Sequence, residues 1–371
     1  MRYSSRLPWT APQNELTRRL AARRAAGLPI LDLTESNPTR AGIAYPGSEL
    51  LRALADPAAL TYEPTAEGLP AARAAIAAFH GVEPDQVLLT ASTSEAYAFL
   101  FKLLCDPGDE ILVPRPSYPL FEFLAAVEAV TVRHYPLHYQ EGWWIDTRAL
   151  EALITPRTKA IVVVSPNNPT GSYLKRAELA ALEALCTAHG LALISDEVFT
   201  EFSLEDPPDP LRAPPCSATF SLNGFSKLLG LPQMKLGWIV TRDAEARARL
   251  ELIADTFLSV SAPVQHAAAH WLATHRDGFI SSMRDRLRGN LTLLGAATTL
   301  RVEGGWYAIL RLPRTRGEEE WAIELLEREG VLIQPGYFYD FETEAFAVVS
   351  LLTRPDIFAE GISRILKRLD A

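Results

Sequence analysis

Four short stretches of this 371-residue chain concentrate polar side chains with chemical potential, and each follows a run of apolar β-type residues. Thr90-Ala91-Ser92-Thr93 closes one run and opens a helical pattern. Free backbone N–H groups beside hydroxyls suit an anion such as phosphate, and they suit a plain helix N-cap as well. Ser165-Pro166-Asn167-Asn168-Pro169-Thr170-Gly171 ends a Val-rich run in a rigid turn. Asp196-Glu197 ends the next run, which places a carboxylate at the edge of an apolar interior, where a cationic partner is expected. Gly224-Phe225-Ser226-Lys227 follows the run after that. Ligands of parallel sheets bind beyond the carboxyl ends of the strands, so these four turns would share one site.

The elements that must position them alternate. Helical patterns cover Gly68 to His80, Ser94 to Cys105, Pro119 to Val127, Lys175 to His189 and Ala244 to Thr256. Strands read as Gln86 to Leu89, Glu110 to Val113, Val130 to Tyr135, Lys159 to Val164, Leu191 to Ser195, Ala218 to Leu222 and Leu236 to Thr241. Val162-Val163-Val164 and Leu191 to Ile194 lack the polar alternation of a half-exposed strand, so helices should cover both faces. The expected fold is α/β: a three-layer αβα unit with a mostly parallel, seven-stranded sheet, plus a smaller α+β unit built from both termini. After residue 260 come helical patterns at Pro263 to Thr274 and Phe279 to Leu300, a strand hairpin around Trp306 to Leu312 and a helix from Glu318 to Glu329. Strands near Val331 and Ala347 to Leu351 and a last helix from Pro355 complete the smaller unit. Helix Gln13 to Ala26 and strand Leu31 to Thr34 should pack with it, since alone they cannot bury their apolar faces. The boundaries drawn are 1–44, 45–275 and 276–371, and the Pro-rich Asp206 to Pro215 segment reads as a surface loop.

Composition narrows the function classes. Acids outnumber bases 45 to 36, a net charge of −9, and no dense Lys/Arg run tracks a phosphate backbone, so no nucleic-acid partner is expected. Three scattered cysteines, Cys105, Cys186 and Cys216, form neither a disulfide framework nor a CxxC motif, which suits a reducing cytoplasm. No apolar run approaches membrane-spanning length and the polar, Pro-punctuated Met1 to Glu15 is no signal peptide, so a cytoplasmic protein without a membrane partner is expected. GxxxxGK[ST], GxGxxG after a strand, GxSxG and HExxH are all missing, which removes support for nucleotide-cradling and zinc-hydrolase chemistry. His266 and His270 lie four apart on a helical pattern with only alanines between them, and they read as structural histidines; no metal site is expected.

Taken in order, these turns resemble the fold type I pyridoxal-phosphate enzymes, specifically the class I/II aminotransferases related to aspartate aminotransferase. The likeness runs from Thr34-Glu35-Ser36-Asn37-Pro38 to Ser350. It makes Lys227 the Schiff-base lysine that holds the cofactor aldehyde and then moves the Cα proton. It makes Asp196 the partner of the pyridine nitrogen, which keeps the ring an electron acceptor. By the same resemblance Asn168 donates to the ring oxygen and contacts substrate, and Tyr118, in Pro114-Arg115-Pro116-Ser117-Tyr118-Pro119, stacks on the ring. Ser92, Thr93 and Lys235 serve the phosphate, joined by Tyr62 of a second subunit, from a Tyr62 to Arg73 segment similar to the family's YxPxxGxxxLR pattern, and Ser226 and Phe199 also belong to the cofactor site. A homodimer with shared sites follows. Ser36 borders the substrate.

Four positions depart from that pattern. Phe199 stands three residues after Asp196, where a ring-oxygen tyrosine is usual. Gly224 replaces a frequent serine three residues before the lysine. Lys235 replaces an arginine eight residues after it, and neutralises phosphate as a point charge rather than a fork. Val348, two residues before Ser350, stands where most relatives clamp the substrate α-carboxylate with arginine. Arg40 and Arg354 are the substitutes considered, and a substrate held by weaker contacts or lacking that carboxylate is the alternative. Ser259-Val260-Ser261 offers no arginine for a second carboxylate, so aspartate and glutamate lose favour as donors. Trp306, Tyr307, Tyr337, Phe338 and Tyr339 line an apolar pocket or belong to the core. The expected activity is ping-pong amino transfer from a non-dicarboxylic amino acid to a 2-oxo acid, with small amino and keto compounds as partners. A carbon-sulfur β-lyase, an amine transaminase and an inactive cofactor-binding regulator are the alternatives.

Overall fold

In the computed structural model the apolar runs lie side by side as one sheet, because neither face of such a run can be left in water. The structure describes residues 1–9, 13–205, 219–295, 298–343 and 345–369. In chain order the strands are β1 (Leu31–Asp32), β2 (Val87–Thr90), β3 (Glu110–Arg115), β4 (Thr131–Tyr139), β5 (Trp143–Ile145), β6 (Thr158–Val164) and β7 (Ala192–Asp196). They continue with β8 (Thr219–Gly224), β9 (Gly237–Val240), β10 (Tyr307–Arg311), β11 (Val331–Leu332), β12 (Gln334–Pro335) and β13 (Phe346–Ser350).

The large sheet has the order β2-β9-β8-β7-β6-β3-β4-β5. Strands β4, β3, β6, β7 and β8 are mutually parallel, β9 runs antiparallel between β8 and β2, and β5 folds back on β4. The sheet is therefore one strand wider than the seven the sequence marks. The added edge, Trp143-Trp144-Ile145, is too short for its buried-exposed-buried alternation to stand out. Successive residues of β6 serve opposite faces. Ala160 and Val162 join Phe99, Leu100 and Leu250 of helices Thr93–Leu104 and Ala244–Phe257, whereas Ile161 and Val163 join Leu179 and Leu182 of helix Arg176–His189. That is the expected three-layer arrangement.

The remaining strands belong to a second, smaller assembly that joins both ends of the chain. β1 pairs in parallel with β11, and β13 runs antiparallel between β10 and β12. Helices Glu15–Ala25, Arg276–Leu291, Glu318–Glu324 and Pro355–Leu369 pack around them, burying Leu16, Met283, Leu287, Trp321, Phe358 and Ile362. Three expectations need correction. Residues Trp306 to Leu312 form no hairpin: β10 is a single strand, and its partner β13 lies far along the chain, with Tyr307 opposite Ser350. The helix expected to run to Leu300 ends at Leu291, because Thr298 and Leu300 spend their backbone groups on Arg311 and Ile309 beside β10. The helix from Glu318 is α-helical to Glu324 and finishes as a π turn, Leu325–Glu329, stopped by Gly330 at φ +68°. The expected loop Asp206 to Pro215 and residue Ala218 lie outside the described residues.

Candidate active site

Parallel pairing places the four polar turns at one edge. Val164 is opposite Asp196 and Asp196 is opposite Leu222, so the turns after β6, β7 and β8 follow one another across the sheet. Both β2 and β8 are antiparallel to β9, so they run in the same direction; Thr90 and Gly224 each pair with Gly237. A Cβ on Gly237 would lie 2.8 Å from the Ser92 carbonyl carbon and 2.9 Å from the Thr93 nitrogen. Glycine is needed there for the Ser92–Thr93 backbone to rest on β9. Gly224 has a related reason: its Cβ would meet the Leu236 carbonyl oxygen at 2.9 Å. A serine in its place would need the β8–β9 pair to move, which accounts physically for that departure.

Ser92 caps helix Thr93–Leu104, its Oγ accepting from the Glu95 N–H at 3.2 Å, so the capping role is real. Glu95 in turn accepts from the Ala91 N–H and the Ser259 hydroxyl, each at 2.6 Å. The first-turn N–H groups of Thr93 and Ser94 have no partner within the helix and remain suited to an anion. Lys235 is exposed, at a left-handed φ of +53° that directs the chain into Leu236 and Gly237. Ser226 lies in the first turn of the short helix Phe225–Leu228, half-buried beside Lys227.

Asp196 is buried at the end of β7, where it accepts from the Tyr97 hydroxyl at 2.9 Å and the Val198 N–H at 3.2 Å. Burial pushes its carboxyl up to about 6, held back by those two hydrogen bonds and by the charge of Lys227. Lys227 moves the other way: burial lowers its amine to about 8, and Asp196 opposes the shift. The two groups feel each other's charge, and neither forms an ion pair within 4 Å among the described residues. Tyr97 is a site residue that sequence reading missed, although it sits one helical turn beyond Thr93 and so on the same side.

Asn168 is buried in the turn after β6, and its Oδ1 meets no hydrogen-bond partner among the described residues. The turn is held from outside itself, as the Thr200 hydroxyl donates to the Ser165 carbonyl at 2.7 Å and the Gly304 N–H to the Gly171 carbonyl at 2.9 Å. A Cβ on Gly171 would lie 2.6 Å from the Gly304 oxygen. Two glycines thus press the turn against the chain entering β10 and fix Trp306 and Tyr307 beside the site. Phe199 meets Trp306 edge to face, with centroids 5.3 Å apart, and Tyr307 at 6.4 Å. Burial pushes the Tyr307 hydroxyl up to about 12, with Ser36 nearby holding the shift back and the Glu35 carboxylate adding to it. Ser350 donates to the Glu35 carbonyl at 2.6 Å, which anchors the Ser36 segment. Tyr118, partly exposed, follows a turn whose Ser117 N–H donates to the Tyr339 carbonyl at 3.1 Å and whose Arg115 Nε donates to that of Asp340 at 2.7 Å.

The two arginines expected to serve the substrate stand apart from these groups. Val348 is fully buried between Ile309 and Gln334. Arg354 points outward, clasping Asp356 at 2.7 Å and 3.2 Å, with its stem against Gly42. Arg40 is exposed at the end of the Ser36 to Thr39 turn, and its side chain has no partner among the described residues. Tyr62 is exposed too, on the rim of a cavity of about 230 Å³ shared with Leu60, Phe99, Leu258 and Gln265. His270 faces Glu49 at 3.3 Å on the surface. No helix of the described residues is long and apolar enough to cross a membrane.

Comparison with known proteins agrees with this geometry. The family model for aminotransferase class I and II matches residues 31–353. An alanine aminotransferase of Mycobacterium tuberculosis is 29% identical over 346 residues, covering 85% of this chain and 80% of its own. An arginine–pyruvate transaminase of Pseudomonas aeruginosa is 31% identical over 295 residues, covering 76% and 75%. Among solved structures, a single mutant of Thermus thermophilus aspartate aminotransferase superposes with a TM-score of 0.87 at 26% identity, over 99% of this chain and 100% of that one. With Lys227, Asp196 and Asn168 gathered at the strand ends of a fold type I sheet, this chain belongs to the class I and II aminotransferases.

Proposed function

We propose that the chain binds pyridoxal 5'-phosphate at the strand ends and transfers the amino group of a monocarboxylic amino acid to a 2-oxo acid. The observation that carries the reading is a buried Asp196 carboxyl at the end of β7 within charge range of Lys227, just past the end of the neighbouring strand β8, whose amine burial lowers to about 8. The residues fit the cofactor: an orphaned buried Asn168 oxygen, a carboxylate without a bonded cation among the described residues, and a helix start pressed onto Gly237. Lys227 would hold the aldehyde and Asp196 the ring nitrogen. Asn168 and Tyr118 would flank the ring. Ser92, Thr93 and Lys235 would take the phosphate with Tyr62 of a second subunit, and Ser226 would border the cofactor beside Lys227. When bound, the cofactor supplies an electron sink for the pair left on Cα.

The chain's own residues do the rest. Near pH 7 an amine of pKa about 8 is about one-tenth unprotonated, against well under a thousandth for an ordinary lysine, so Lys227 is poised to take and return the Cα proton. Phe199, Trp306 and the buried ring of Tyr307 keep water from that proton. Tyr307 and Ser36 offer hydroxyls to the substrate, and Arg40 is our first choice to meet its carboxylate, because Arg354 is already engaged. The name of the arginine–pyruvate transaminase supports pyruvate as an acceptor.

A homodimer is part of the reading, supported by exposed Leu51, Leu60, Tyr62 and Phe257. We also read residues 45–275 as the cofactor-binding unit, 1–44 with 276–371 as the smaller one, and the protein as cytoplasmic. Mixing holoenzyme with single amino acids and amines, without acceptor, tests the activity. Conversion of the cofactor's visible band to the pyridoxamine form by monocarboxylic amino acids is expected. Release of pyruvate and ammonia would instead identify a lyase, and conversion by simple amines alone an amine transaminase.

A further inference from the structure

The Lys227 side chain ends against two ring faces. Its Nζ lies 4.8 Å from the centroid of Trp306 and 5.4 Å from that of Phe199. Both rings are buried, and Phe202 backs the indole at 5.3 Å. The seat is rigid for a reason already in the backbone. A Cβ on Gly304 would lie 2.6 Å from the Tyr173 ring and 2.9 Å from the Phe202 oxygen, so the residues entering β10 cannot slide. Of the charged groups on neighbouring elements, Asp196 of β7 is the one that acts on the amine, and Asp196 is itself held by Tyr97 of the helix after β2. From the side of β10 and the turn after β7, Lys227 meets aromatic rings.

We propose that Trp306 and Phe199 form a cation–π seat for the ammonium form of Lys227, occupied whenever that amine is not bonded to the cofactor, which makes Trp306 a positioning residue for the proton-moving lysine. A ring face attracts an ammonium through its quadrupole and accepts no strong hydrogen bond. The ammonium is therefore held in place without being locked in its protonated state, as a second carboxylate would lock it. The seat also gives Phe199 a use that its missing hydroxyl leaves open: it presents a face where a tyrosine would present a donor. The consequence for turnover rests on the function proposed above, whereas the seat is a property of the chain alone.

The test titrates Lys227 in the full chain stripped of cofactor, using acetic anhydride from pH 6 to 11 and peptide mass spectrometry, each profile normalised to its alkaline plateau. Losing the indole face favours the free amine, so Trp306→Leu should raise the normalised reactivity of Lys227 at pH 7 about fivefold, and Trp306→Phe about twofold. An unmoved profile, or one displaced to higher pH, overturns the proposal. Displacement upward is what a purely water-excluding tryptophan would give, because hydration favours the ammonium. If Trp306→Leu does not fold, replacing all seven tryptophans by fluorotryptophan decides the matter, since it keeps the shape and weakens the ring face. Higher normalised reactivity supports the seat, and an unchanged profile removes it. Failure here leaves a borohydride-fixed cofactor on Lys227, whereas failure of the functional reading places that label elsewhere.

Discussion

The sheet side of the site and the side built from β10, β12, β13 and the Ser36 segment solve different problems. On the sheet side each functional group sits at the end of a buried strand, with its position set by register and its charge raised or lowered by burial, as Asp196 and Lys227 illustrate. On the other side the groups are aromatic or uncharged, Val348 fills the place of a clamp, and both arginines considered for that role are exposed. On the function proposed above, the groups that carry the chemistry would be fixed by the main chain, and those that meet the amino acid would be presented by side chains brought from distant segments.

Breaking the sheet side should cost most. Lys227→Ala should lower kcat/KM by at least about a thousandfold while still binding pyridoxal phosphate without a covalent link. Retained turnover would contradict the assignment. Gly237→Ala forces a methyl into the Ser92–Thr93 backbone, an overpacking cost of about 1–3 kcal/mol, so cofactor affinity should drop roughly ten- to a hundredfold. Equilibrium dialysis measures it, and an unaltered affinity would mean the helix start does not depend on that contact.

On the opposite side the effects should be smaller and confined to substrate. Arg40→Ala should raise KM for amino acids about tenfold with cofactor affinity intact, in line with loss of a charge-assisted hydrogen bond, and Arg354→Ala should change KM less than twofold. Wild-type kinetics in both variants would end the relocated-arginine idea. The mildest change, Phe199→Tyr, sharpens the boundary between the two sides. A second donor to the ring oxygen stabilises its anionic form, so the pH midpoint of the holoenzyme's visible absorbance should fall. A raised or unmoved midpoint would show that residue 199 does not reach that oxygen.

The sheet side was legible in sequence because strand ends are marked locally: an apolar run, then Thr90 to Thr93, Asn168, Asp196 or Lys227. The seven longer strands follow from the same signal, and β5 does not, since three residues carry too little alternation to register. Long-range pairing was the harder part. Nothing near Trp306 announces that its strand pairs with residues 346–350 rather than with its own continuation, and the misplaced hairpin follows from that. Tyr97, Gly237 and the ring faces around Lys227 escaped for a related reason. Their roles come from what the fold sets against them, a carboxylate, a helix start and an amine, and no local pattern records those partners.

Whether Lys227 is the cofactor lysine is decided by borohydride reduction of the holoenzyme followed by peptide mapping. One pyridoxyl group per chain is expected, carried by the peptide containing Gly224-Phe225-Ser226-Lys227. A label on any other lysine, or a cofactor that borohydride cannot fix, would contradict it.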